Sequence, residues 1–319
     1  MGYHNEYKME KEISYICNCE YEYFLNKANV VGIGCGYKVQ NGFYTKKLCI
    51  QVFVSRKLPS NELNSQDIVP NLYKEIPTDV KETGYFTPCS LIQKVRPILG
   101  GYVIGNEYNT AHSGTLGCLV KDSKDLFILS NNHVLTMINQ APLGTKIIQP
   151  SCQYKGDIKT DVIGNLSKYI KIKFKGAITT NTNYTDCAIA KVIDKSLVSP
   201  KIALVGIPKG INTPKLNENV KKVGAISELT TGVITSLHTT IRVNYDILKK
   251  AAIYKEQILT TQMAEGGDSG AVLLDKNNYV VALLMSGSKN TSTFNPINTV
   301  LKQLKVSIVT SDSWNEIDK

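Results

Sequence analysis

The chain has 319 residues, is 42% hydrophobic and carries a formal net charge of +10, enough apolar content for one large or two ordinary packed domains. No segment reaches the ~18 uninterrupted apolar residues of a spanning helix. Residues 1–22, studded with His4, Glu6, Lys8, Glu10, Lys11, Glu12 and Glu20, lack the apolar stretch of a signal peptide. These features exclude a helical membrane protein and predict a soluble, cytoplasmic one with no membrane partner.

The eight cysteines (17, 19, 35, 49, 89, 118, 152 and 187) are scattered, and only Cys17-Asn18-Cys19 is close-spaced. Eight is an even number, so disulfides are an alternative, but without a secretory signal free thiols in a reducing compartment are expected. The Cys-x-Cys reads as two thiols on a frayed N-terminus, with a metal site completed by distant partners as the alternative. The basic charge is spread along the chain. Its densest stretch, Lys168 to Lys175, alternates Lys with apolar residues from 170 onward, the pattern of a strand with one solvated face. No nucleic-acid partner is expected from it.

In chain order, Val30 to Val39 and Leu48 to Val54 read as a β-hairpin around Asn41-Gly42. A polar, proline-punctuated stretch follows to Ile76-Pro77-Thr78-Asp79-Val80, and residues 1–95 are taken as an N-terminal module. From Arg96-Pro97 onward come short apolar runs separated by Gly, Asn, Asp and Pro: 117–120, 126–129, 162–164, 188–192, 220–224, 232–234, 271–274 and 280–284. Their regular spacing predicts an all-β sandwich or barrels. Asn295-Pro296 to Leu304, with apolar residues at 297, 300, 301 and 304, predicts a closing helix that starts at the proline.

Cleavage of an unactivated amide needs a nucleophile beside a base, an acid to orient that base, and donors for an oxyanion. Ser269 lies in Glu265-Gly266-Gly267-Asp268-Ser269-Gly270, where glycines let the backbone turn tightly enough to aim the N–H groups of Gly267 and Ser269 at one point. A plain glycine-rich turn before the strand at 271–274 is the alternative. Among four histidines, His133 directly follows the run Phe127 to Asn132, which would hold it rigidly at a strand end. It could instead tie that strand end to backbone. Asp186, followed at once by Cys187-Ala188-Ile189-Ala190, is the best acid, although aspartate also suits caps and turns. The order His133, Asp186, Ser269 is the chain order of the chymotrypsin type, not of the subtilisin or α/β-hydrolase types.

These residues resemble the trypsin-like, chymotrypsin-fold peptidases: Ser-Asn-Asn-His-Val at 130–134, Asp-Cys-Ala-Ile-Ala at 186–190 and Gly-Asp-Ser-Gly-Ala at 267–271 stand where that family has its His, Asp and Ser motifs. With Ile-Pro-Thr-Asp-Val at 76–80, Arg-Pro at 96–97 and Gly-Thr-Leu-Gly-Cys-Leu-Val at 114–120, the chain is also similar to bacterial relatives of the plant NARROW LEAF 1 type of protease. The resemblance implies a mainly β fold with two six-stranded barrels, the first over 96–200 holding His133 and Asp186, the second over 201–319 holding Ser269 and the closing helix. It implies a serine endopeptidase acting on protein or peptide substrates, with His133, Asp186 and Ser269 catalytic and Gly267 and Ser269 forming the oxyanion hole. No metal or other cofactor is implied. Met285, Ser286 and Gly287 would bind substrate backbone, and Met263, six before the serine, would stand at the base of the pocket, favouring an apolar or small side chain over Arg or Lys.

Val30-Val31-Gly32-Ile33-Gly34 superficially resembles the cleaved terminus of a trypsin, which inserts beside the acid preceding the serine. It lies inside the hairpin pattern, so activation by cleavage there is not expected. The catalytic loop must then be ordered otherwise, by the N-terminal module or by homo-oligomerisation. Two other readings share the motifs: a catalytically silent protease-fold scaffold that binds a peptide or partner protein, and an esterase of the same fold.

Overall fold

The computed structural model describes residues 2–40, 43–85, 90–176 and 181–317. It divides into two compact units, Met1–Cys89 and Ser90–Lys319. The expected boundary between 200 and 201 lies inside the second unit.

The first unit pairs Val30–Gln40 antiparallel with Phe43–Val54, as the hairpin pattern predicts; the Asn41-Gly42 turn itself lies outside the described residues. Ile76–Glu82 then adds parallel to Phe43–Val54. The N-terminus corrects the sequence reading: Gly2–Cys19 is an α-helix, not a frayed tail. Met9, Ile13 and Ile16 recur every three or four residues, which puts them on one helical face. Ile13 and Ile16 are buried with Phe24, Ile50, Val52 and Ile76, and Met9 packs against that cluster. The charged residues between them had masked this stripe. Val30 to Gly34, the stretch like a trypsin terminus, is strand in this unit.

The second unit is built on two mainly antiparallel sheets that account for the predicted apolar runs. The first orders its strands as Ser307–Ile308, Cys118–Lys121, Leu126–Ser130, Ala188–Val192, Val162–Tyr169, Lys146–Ile148, Val103–Asn106 and Gly114–Thr115. The second adds the short strand Thr182–Asn183, parallel, to an antiparallel run of six: Lys250–Thr261, Glu228–Tyr245, Asn219–Gly224, Val272–Asp275, Val280–Gly287 and Thr291–Pro296. It closes on itself because Thr291–Pro296 also pairs with Lys250–Thr261, Ile258 opposite Phe294, giving a six-stranded barrel. Closure gives each of those six strands a neighbour on both sides over part of its length. Each sheet turns alternate apolar side chains inward, the first around Ile128, Ile147, Ile163 and Ala190, the second around Val220, Ile234, Leu273 and Phe294. A third cluster, with Leu129, Ile189, Val272 and Leu283, draws on both sheets.

The closing helix is present as Ile297–Leu304, with Ile297, Val300, Leu301 and Leu304 buried. Pro296 is its N-cap rather than its first residue. The basic stretch after Tyr169 differs from the expected strand. Its burial alternates, Lys171 and Lys173 out and Ile172 in, yet 170–176 carry no strand. Side-chain amides take the place of a ladder: Asn139 bonds both the N–H and the carbonyl of Ile172, and Asn183 does the same for Lys173. Among the described residues every cysteine is a free thiol, and no helix is long and apolar enough to cross a membrane.

Candidate active site

The antiparallel register of two strands brings His133 and Asp186 together. Ser130 stands opposite Ala188, so stepping forward from one and backward from the other keeps the chains side by side beyond the sheet edge. The single helical turn Asn132–Leu135 follows at once and carries His133. Asp186 is fully buried and the His133 side chain about a quarter exposed. One carboxylate oxygen, Oδ1, accepts from the His133 backbone N–H at 3.1 Å; the other, Oδ2, lies 2.6 Å from His133 Nδ1. A carboxylate can only accept, so Nδ1 carries the ring proton and leaves Nε2 as the free acceptor. Further bonds fix the acid: its N–H donates to Asn295 Oδ1 at 2.9 Å, and its carbonyl accepts from Asn131 Nδ2 at 2.7 Å.

Ser269 comes from the second barrel, on the loop before Val272–Asp275. Gly267 has φ +104° and Gly270 φ +98°, left-handed backbone that a side chain resists. A Cβ on Gly270 would also stand 2.2 Å from Ser130 Oγ and 2.3 Å from the Thr115 carbonyl. Thr115, from the first sheet, grips this loop. Its N–H donates to the Ser269 carbonyl at 2.8 Å and its hydroxyl to the Gly267 carbonyl at 2.9 Å. The carbonyls are thereby turned inward. Among the described residues, the N–H groups of Gly267 and Ser269 have no protein acceptor.

Beneath the loop lies a buried ion pair, Lys222 Nζ to Asp268 Oδ2 at 2.9 Å, with both side chains fully shielded from solvent. Asp268 also accepts from the backbone N–H groups of Ile226, Ser227 and Glu265 at 2.9–3.0 Å and from the Ser227 hydroxyl. Burial opposes the Asp268 charge, but Lys222, then these hydrogen bonds, outweigh it and hold the carboxyl below its ordinary range. Burial likewise draws the Lys222 ammonium down, and Asp268 only partly restores it. An internal lysine thus stands against the acid that precedes the serine, a role the sequence reading had left to the N-terminal module or to self-association. Lys222 was missed because a lysine in the apolar run Val220-Lys221-Lys222-Val223 reads as solvated. Its signal is the two-residue step that puts it on the same strand face as buried Val220.

His133, Asp186, Ser269, Met285, Ser286 and Gly287 all line one cleft of about 610 Å³. Ser269 Oγ donates to the Met285 carbonyl at 3.4 Å. Val280–Gly287 pairs with Thr291–Pro296 as far as Gly287, whereas its pairing with Val272–Asp275 stops at Leu283. Met263 is a correction. It packs into the barrel core with Val220, Ile234 and Leu273, its sulfur against Gly232, and does not line the cleft. Met263 N–H and carbonyl bond Ser292 Oγ and Thr230 Oγ1, which turns the side chain inward. Gln262, Ala264 and Glu265 face the cleft instead.

No protein-family model matches the chain, and no curated protein matches its sequence. Among solved structures, Thermobifida fusca Protease A superposes over 67% of this chain and 99% of its own, with a TM-score of 0.50 at 19% identity. Nocardiopsis protease (NAPase) covers the same shares with a TM-score of 0.48 at 16% identity. Cellulomonas bogoriensis chymotrypsin does so with 0.47 at 18%. The match to Thermobifida fusca Protease A gives this chain the fold of the chymotrypsin-like serine proteases, mainly β with two sheets and a few helices.

Proposed function

We propose that the chain is a serine endopeptidase using His133, Asp186 and Ser269. The observation that carries this reading is the 2.6 Å His133–Asp186 bond in the same cleft as Ser269. Ser269 Oγ attacks the scissile carbonyl while His133 Nε2 takes its proton. Asp186 keeps the imidazole in the Nδ1–H tautomer and stabilises the imidazolium that forms. The oxyanion is received by the unpartnered N–H groups of Gly267 and Ser269, held in place by Thr115 and by the Lys222–Asp268 pair beneath. His133 then returns the proton to the leaving amine, and a water repeats the sequence on the acyl-enzyme. Substrate lies as an extended strand along Met285-Ser286-Gly287, whose outer edge has no backbone partner past Leu284 among the described residues.

In this reading the enzyme is a bacterial, cytoplasmic relative of the NARROW LEAF 1 type, in keeping with its free thiols. Its loop is ordered from within, so no cleavage near Val30 is needed. Incubation of the intact chain with a proteome-derived peptide library, with new termini read by mass spectrometry, tests the function. New termini are expected with the wild type and none with Ser269→Ala. Identical libraries before and after incubation would favour the silent scaffold, and turnover of esters without new termini the esterase.

A further inference from the structure

Asp186 has one more partner, supplied by the long ribbon Glu228–Tyr245 and Lys250–Thr261. The Tyr245 hydroxyl donates to Asp186 Oδ2, the same oxygen that receives His133 Nδ1, at 3.3 Å. Tyr245 and Tyr254 hydroxyls lie 2.6 Å apart. A phenol has one proton, and that of Tyr245 is committed to the carboxylate. Tyr254 must then be the donor of the pair. The result is a directed chain, Tyr254 to Tyr245 to Asp186, running from the barrel interior to the back of the candidate catalytic acid.

Packing holds the chain in place. Tyr245, Tyr254 and Ala252 are buried with Ile138 and Ile172 from the first barrel and Met285 from the cleft wall. Phe174 meets the Tyr245 ring edge-on at 5.7 Å. The titratable groups around the acid are His133, Tyr245, Tyr254 and Cys187. Burial first, and the Asp186 charge second, push ionisation of both tyrosines far above the ordinary phenol range, so the two hydroxyls stay protonated.

We propose that Tyr245, polarised by Tyr254, is a positioning residue that shares Asp186 Oδ2 with His133 and so sets how strongly the acid binds the imidazolium. This rests on the peptidase reading only for its consequence in turnover. The electrostatic coupling itself belongs to the resting protein. A donor on Oδ2 withdraws negative charge that would otherwise face the ring. Removing that donor makes the carboxylate a better partner for the imidazolium, and His133 becomes easier to protonate. The bond is long for one to a carboxylate, so the shift is a fraction of that from a short, direct charge contact.

The experiment is an NMR titration of the four imidazoles in the full-length chain labelled at histidine, with the His133 signal identified by its loss in His133→Asn. Tyr245→Phe is expected to raise the His133 midpoint by about half a pH unit, and Tyr254→Phe to raise it less, in the same direction. The acid limb of kcat/KM should move with the midpoint. A His133 midpoint unchanged in folded Tyr245→Phe, or lowered in either variant, would overturn the proposal; if Tyr245→Phe does not fold, Tyr254→Phe decides alone. A raised midpoint in a protein that cuts no peptide would uphold the positioning role and reject the peptidase.

Discussion

The two halves of the candidate site are held by different forces. Beside the first sheet, Asp186 sits among neutral donors: the amide of Asn131 on its carbonyl, the Tyr245 hydroxyl and the His133 N–H on its oxygens. On the second, the Ser269 loop stands on a buried charge pair, Lys222–Asp268. In the first half a negative charge is kept dry with no lysine or arginine bonded to it among the described residues, available to answer a positive charge that arises on His133. In the second, the charge is already neutralised, and the pair serves to shape the loop. The same residue type, a fully buried aspartate, thus serves response in one place and rigidity in the other.

Substitution can separate these roles. The largest effect is expected from Asp186→Asn, which preserves size and the Oδ1 bond to the His133 N–H but turns a donor toward Nδ1. The imidazole must then present the wrong tautomer, and kcat should fall about 10⁴-fold with far less change in stability. Equal losses in urea stability and turnover would make Asp186 merely structural. Lys222→Met should act the other way. Leaving Asp268 buried and unpaired costs about 3–5 kcal/mol, read as an earlier urea midpoint, and the serine loop should lose reactivity as it loses order. A stable, fully reactive Lys222→Met protein would show that the hydrogen bonds to Asp268 suffice without the charge.

The legibility of the site in the sequence divides along similar lines. Ser269, His133 and Asp186 could be found because each stands next to a strand end, where a glycine motif or an abrupt polar-to-apolar change marks the position. The barrel strands were legible from their alternation and spacing. Tyr245 was not: its strand contains register shifts near Ser236 and Thr239, and each shift reverses which face a side chain takes. Met263 was misplaced because counting back from the serine gives a position in the chain, while the bonds to Ser292 and Thr230 decide where the side chain turns. The N-terminal helix was hidden by reading its charges and overlooking the three-and-four spacing of Met9, Ile13 and Ile16. A contact between residues distant in sequence, such as Thr115 with Gly267, leaves no local mark.

The central claim is that Ser269 is activated by His133, and fluorophosphonate labelling of the intact chain tests it most directly. One phosphonyl adduct is expected, located by mass spectrometry on Ser269 and lost in both Ser269→Ala and His133→Ala. A well-folded protein that takes up no label, or that labels equally after His133→Ala, would contradict it.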